Sequence, residues 1–255
     1  MEYVANPGRD IKVIAKDRNT NKVLGMMSLG SDITSLGVRD DYIGWTKDNK
    51  FKDGKLRCTS IGTSIVATQP FGFNFLGGKL VAMLLTDESL RAHWKKTYGD
   101  ELVGLTTTAL YGVHSMYNGI PVWKTLGESA GKIALKPDDS VYKPWLDWMK
   151  DERADDYKKI MTPKEGVNGP PTGVKQTLIS YMFKELGIVK SHYNHGFKRG
   201  VYFSSFYENG RDFLRNEIGA DELVMRPKFA QGSEYINKWW KRKAIKRYTK
   251  LHTEN

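Results

Sequence analysis

Thr63-Ser64-Ile65-Val66-Ala67-Thr68-Gln69-Pro70-Phe71-Gly72-Phe73-Asn74-Phe75-Leu76-Gly77-Gly78-Lys79-Leu80-Val81-Ala82-Met83-Leu84-Leu85 is the stretch that decides how this chain is read. It predicts a β-branched strand, a glycine-rich turn and a helix whose first turn holds Gly77, Gly78 and Lys79. A helix start leaves backbone N–H groups unpaired and carries partial positive charge, and glycine lets an anion approach them without a Cβ in the way. Gly72, Gly77, Gly78 and Lys79 therefore form a candidate phosphate cradle. The turn is not a Walker loop, because Leu80 stands where a metal-ligating Ser or Thr is needed, and its spacing is not that of a dinucleotide fingerprint. The same glycines also read as a turn that lets a helix pack closely on a strand.

Upstream of this stretch, Ile11 to Lys16 alternates apolar and polar residues, and Val23 to Leu29 resumes an apolar run after the polar Asp17 to Asn21, which predicts a hairpin. Residues 38–45 follow, then a polar loop over 46–55 and a strand over about 56–68 that enters the glycine turn. Downstream, the helix runs over about 78–98 to a stop at Gly99, with Thr86 to Ser89 as the start of a second helix. Leu102 to Tyr111 is β-rich and largely apolar, so a strand, helix, strand order predicts a parallel crossover. Residues 137–161, rich in acids and aromatics, predict a solvated helical segment, and the Pro/Gly-rich 162–172 a boundary loop. A helix over 173–186, a strand over 201–206 and a helix capped by Asn209 complete the series.

A chain of 255 residues with 40% hydrophobic content can bury a sizeable core, and its 13 Tyr, 10 Phe and 7 Trp argue against disorder. No apolar run reaches membrane-spanning length and no leader pattern opens the sequence, so the reading is a soluble, unsecreted protein. A single cysteine, Cys58, suits a reducing cytoplasm. The net charge of +11 points to a polyanionic partner, and seven of the cations lie between Lys238 and Lys250. There Ile236, Trp239, Trp240, Tyr248 and Leu251 predict an apolar stripe on a helix that presents Lys238, Lys241, Arg242, Lys243, Lys246, Arg247 and Lys250 to phosphate. A solvated basic helix, or one lying on a membrane or a partner, has the same composition.

Three motifs in order then resemble the DruA family of the Druantia antiphage system and its phage-encoded relatives: Arg39-Asp40 with Ile43-Gly44-Trp45; Trp94 with Tyr98-Gly99; and Tyr117, Trp123, Leu126-Gly127 and Gly131. The resemblance covers about residues 23–132. The order of hairpin, strand, glycine turn, helix and strand also resembles the GNAT acyltransferase fold, to which Mom-type DNA-modifying proteins are similar. That resemblance implies that Gly72, Gly77 and Gly78 face the pyrophosphate of acetyl coenzyme A or a related thioester. This chain departs from the usual GNAT turn, having Phe75-Leu76 where Arg or Gln precedes the glycines.

Several side chains are candidates for chemistry. Asp40 and Asp41 beside Arg39, next to the apolar Ile43-Gly44-Trp45, offer a carboxylate base, and the family match puts Asp40 first; the plainer reading is a structural ion pair or turn cap. Tyr117 offers a general acid or a stacking ring, and His114 a proton shuttle, just beyond the Thr106-Thr107-Thr108 strand. Arg39, Trp45, Trp123, Lys124, Lys198 and Arg199 join Trp240 and the C-terminal cations as nucleic-acid contacts, although tryptophans are more often core residues. His192 and His195 lack a flanking ligand set, so no metal site is predicted.

The fold expectation is an α/β protein with a GNAT-like mixed sheet flanked by helices over 1–161, and a C-terminal α/β extension over 162–255 ending in a basic helix. The function expectation is a DNA-acting protein that transfers an acyl-type group to a base, with a noncatalytic DNA-binding protein of defence or counter-defence as the alternative. A nuclease or transposase-like strand processor is the weaker third.

Overall fold

The alternation at the N-terminus becomes strand β1 (Asp10–Lys16), with Ile11, Val13 and Ala15 turned inward, paired antiparallel to β2 (Val23–Ser31). The computed structural model of the chain describes residues 8–110, 112, 115–129, 137–163, 174–189, 192 and 198–253. After β2, the residues 38–45 turn helical as α1 (Gly37–Ile43), ended by Gly44 in the left-handed region at φ 82°. A π-helical turn (Asp48–Lys52) and a 3-10 turn (Lys55–Cys58) lead into β3 (Thr59–Ala67), which pairs antiparallel with β2.

The glycine turn contains a short helix, α2 (Phe71–Asn74), before α3 (Gly77–Leu84). A second helix, α4 (Glu88–Tyr98), begins where Asp87 caps it by accepting from Ser89 N at 2.9 Å. β4 (Gly104–Ala109) then lies parallel to β3, as the crossover reading predicts. Gly104 is required there because the Phe203 ring occupies the place of a Cβ. β5 (Lys124–Glu128) and β6 (Gly200–Ser205) complete one six-stranded mixed sheet in the order β1-β2-β3-β4-β6-β5.

The chain divides into two compact units, one of Met1–Ser129 with Arg199–Asn255 and one of Ala130–Lys198. The first holds the sheet, α1 to α4, and three later helices: α8 (Gly210–Leu214), α9 (Pro227–Ala230) and α10 (Gly232–Thr253). Asn209 does not cap α8 with its side chain; its amide joins Glu222 O and Val224 N instead. The core of this unit is built on Leu29, Ile43, Val81, Met83, Leu85, Trp94, Leu105 and Phe203, all essentially without solvent contact. The second unit packs α5 (Asp139–Glu152), α6 (Ala154–Met161) and α7 (Val174–Glu185) around Met149, Leu178, Ile179 and Met182. From residue 164 onward the expected boundary loop lies outside the described residues. Among the described residues no helix is long and apolar enough to cross a membrane.

Candidate functional site

Side chains alternate faces along β4, and that alternation sorts the candidate residues into two groups. Thr106, on one face, donates to Asp32 Oδ2 at 2.9 Å. Asp32 Oδ1 lies 2.7 Å from Arg39 Nη1, an ion pair set off the hydrogen-bonding direction of that nitrogen. Arg39 donates from Nη2 and Nε to Asp40 Oδ1 at 2.7 and 3.0 Å, and Lys50 Nζ donates to Asp40 Oδ2 at 2.7 Å. Two carboxylates and two cations thus form a buried, charge-balanced chain, with Arg39 wholly enclosed. Both Asp40 oxygens are engaged, and Leu36 N reaches Oδ2 as well at 3.3 Å. Trp45 lies under the Arg39 guanidinium, 5.1 Å from it, and donates its indole N–H to Leu214 O at 2.6 Å. Neither Arg39 nor Trp45 presents a surface to a nucleic acid here, since both are buried.

Thr107 faces the other way. Its Oγ1 is 3.2 Å from the Tyr117 hydroxyl, and Tyr117 packs between Trp123 and Tyr202, with ring centroids 5.7 and 5.1 Å away. Burial pushes the Tyr117 hydroxyl above its ordinary pKa, opposed by the Thr107 hydrogen bond, so the ring stays protonated at neutral pH. Trp123 is buried and donates to Ala82 O at 3.0 Å, as a core tryptophan does. Lys79 reaches across to the same loop, donating to Met116 O at 3.1 Å and to Asn118 O. Burial, with Lys243 nearby, pushes its pKa down. The structure therefore brings Lys79, Tyr117 and Trp123 together and sets Asp40 on the opposite face of the sheet. His114 and Tyr111 lie outside the described residues, as does His195; His192 is exposed.

The strands themselves open beside Tyr117. β3 and β4 pair only over Thr59–Gly62 and Gly104–Thr107; beyond that β3 stays with β2, and β4 with β6. At the turn after β3, Gly77 is covered by the Phe71 ring, which stands where a Cβ would be, while Gly78 has only Met116 Sδ near its Cβ position, at 3.3 Å. A Cβ on Gly72 would meet the Gln69 amide at 2.7 Å. No side chain caps the start of α3. Gly77 thus answers to packing, and the Lys79 ammonium is bonded to loop carbonyls.

The basic helix α10 is set on this turn by aromatics. Trp240 donates to Phe75 O at 2.9 Å and packs 5.8 Å from Phe71, while Ile236 and Ala244 are buried. The inner stripe runs through Ile236, Trp240, Ala244, Arg247 and Leu251, four residues being the usual step between neighbours on one helical face. Tyr248, expected in that stripe, is 42% exposed, because it falls one position beyond Arg247. Lys238, Lys241, Arg242, Lys243 and Lys246 are exposed. Lys124, also exposed, lies over the Tyr42 ring at 4.6 Å, and Lys198 and Arg199 are exposed. Asp32, Lys50 and Phe73 were not among the sequence candidates; Lys50 sits in a polar loop with no local sign of burial. Among the described residues no group of three His, Cys, Asp or Glu could hold a metal ion.

Comparison with known proteins gives one family model, described as Druantia protein DruA, that matches residues 1–216. The Druantia protein DruA of Escherichia coli (strain UMEA 4076-1) is 28% identical over 237 residues, which is 85% of this chain and 56% of that protein. The chain thus spans little more than half the length of that relative. No solved structure matches the chain.

Proposed function

The chain belongs to the DruA family, a membership that implies an antiphage defence context, and from that premise we propose that it binds DNA through the outward face of α10. The observation that carries this reading is the two-sided character of α10. Its Trp240, Ile236 and Ala244 fix it to the folded unit, and Lys238, Lys241, Arg242, Lys243 and Lys246 stand in solvent on the remaining face. A helix held in this way presents cations at low ordering cost, and each phosphate they neutralise releases condensed counterions. Anisotropy with a labelled duplex across a salt series tests it. The triple variant Lys241→Ala, Arg242→Ala, Lys246→Ala should lower the salt slope by about 1 per cation removed. Unchanged affinity and slope in that variant would reject α10 as the interface.

A second reading, transfer of an acyl-type group to a DNA base, is favoured by the fork between β3 and β4 with the protonated Tyr117 beside it. Support for a thioester cofactor is the uncapped start of α3, where the backbone N–H groups of Gly77 and Gly78 suit a phosphate. Against it stand the Phe71 ring over Gly77 and the engagement of Lys79 elsewhere. The thioester, when bound, would supply the acyl group; Tyr117 Oη would protonate the thiolate released as the C–S bond breaks and the C–N bond forms, and regain a proton from the acylated amine of the base. Acetyl coenzyme A at a hundred times its dissociation constant should stabilise the protein by about 2.7 kcal/mol. A flat melting temperature over the whole titration, together with unmodified nucleosides in DNA from expressing cells, would leave the binding reading alone.

A further inference from the structure

We infer that the corner where α2 meets α10 is a stacking platform for unpaired bases of single-stranded DNA. The inference rests on the DNA-binding reading and specifies the form of DNA. Phe73 is 61% exposed in a turn whose other phenylalanines, Phe71 and Phe75, are partly buried against the core and α10. The Arg247 guanidinium lies over the Phe73 ring at 4.7 Å, which pairs a planar cation with an exposed aromatic. Beside it, Phe75 stacks on Tyr248 at 5.1 Å with an interplanar angle of 11°, and His252 follows at 3.9 Å from Tyr248. This ladder begins at Phe71, 6.4 Å from Phe75, and climbs from the core to the exposed His252.

Two exposed aromatic side chains, Phe73 of α2 and His252 of α10, are therefore backed by Arg247 and Tyr248, successive residues of α10. The exposed Lys243 and Lys246 lie within one helical turn of Arg247. One ring backed by a guanidinium and one backed by a ring, with cations alongside, are what a single strand needs: its phosphates meet the cations and its bases continue the stack. A duplex cannot use the rings, because its bases already stack on one another. An exposed phenylalanine in a packed turn contributes little burial to the fold, so ligand contact gives Phe73 a role that packing does not.

The test is anisotropy of the full chain with three labelled probes of one length: a thymidine oligomer, an abasic oligomer with the same phosphates, and a duplex. The thymidine oligomer should bind roughly tenfold or more tighter than the abasic one. Phe73→Ala and His252→Ala should each remove about five- to tenfold of the thymidine affinity while leaving the abasic affinity and the melting temperature unchanged. Equal binding of thymidine and abasic probes, or an equal loss for both in Phe73→Ala, overturns the platform while DNA binding stands. Binding of none of the three probes overturns both.

Discussion

Asp40 has no oxygen to spare. One is held by Arg39 and the other by Lys50, inside a chain that begins at Thr106 and Asp32. This carboxylate is the charged partner of both cations, and its removal leaves Lys50 buried without one. Asp40→Asn should therefore cost about 3–5 kcal/mol of stability, read from the denaturant midpoint at constant slope. A loss under about 1 kcal/mol would mean that the residue is not structural. Cys58 provides the second prediction at this scale. Burial, and then the charge of Asp100, pushes its thiol up to about 11 from an ordinary 9.0. The folded chain keeps a proton that the unfolded chain releases, so this contribution is complete below about pH 9 and is lost as pH rises through about 11. Comparing unfolding at pH 8 and pH 11, Cys58→Ala should lose roughly 2–3 kcal/mol less than the parent. Parallel curves would remove Cys58 from the alkaline transition. The Arg39-Asp40 pair could be read from neighbouring letters as an ion pair, but Lys50 and Asp32 could not, since only the turn of α1 and the π-helical turn bring them to it.

Elements whose pattern repeats were legible, and elements that borrow their stability from neighbours were not. The β1–β2 hairpin, β3, and the parallel β3–β4 crossover follow from apolar alternation and from the strand–turn–helix order. β5 was not foreseen: Lys124-Thr125-Leu126-Gly127-Glu128 is exposed except at Leu126, lies at a sheet edge and carries a bulge where Gly127 takes φ 122°. Its pairing comes from β6, which arrives more than seventy residues later. The glycine turn was legible as a turn, while its two uses, anion cradle and close packing, share the same letters. The Phe71 ring over Gly77 gives the packing use a test. Gly77→Ala places a methyl group against that ring and against Phe71 O at 3.0 Å, and should cost about 1–3 kcal/mol. Phe71→Leu should recover part of the loss, and the double-mutant cycle measures the coupling. Additive losses would mean that ring and glycine do not meet.

At the scale of the molecule, the chain leaves the sheet-bearing unit after Ser129 and returns at Arg199, at neighbouring points. Glu128 pairs with Gly200, Ser129 N donates to Arg199 O at 2.8 Å, and Arg199 N donates to Ser129 Oγ at 3.3 Å. Residues 130–198 are thus an insertion between two hydrogen-bonded strands, β5 and β6. A short reverse turn is the ordinary connection for such a pair, and Asn-Gly is the dipeptide that matches its twist. The two units carry separate cores, one around Leu29, Val81, Trp94 and Phe203, the other around Leu178, Ile179 and Met182. Replacing residues 130–198 by a short Asn-Gly-containing turn should therefore leave a chain that unfolds cooperatively and keeps its sheet. The shortened loop itself changes the closure entropy by only about 2–3 kcal/mol. Because α10 belongs to the retained unit, the salt dependence of duplex binding should also survive unchanged. Circular dichroism and a denaturant titration read the first expectation, and anisotropy the second. A noncooperative transition would show that the insertion completes the core of the sheet. A cooperative fold with a shallower salt slope would instead assign part of the DNA contact to cations within 130–198.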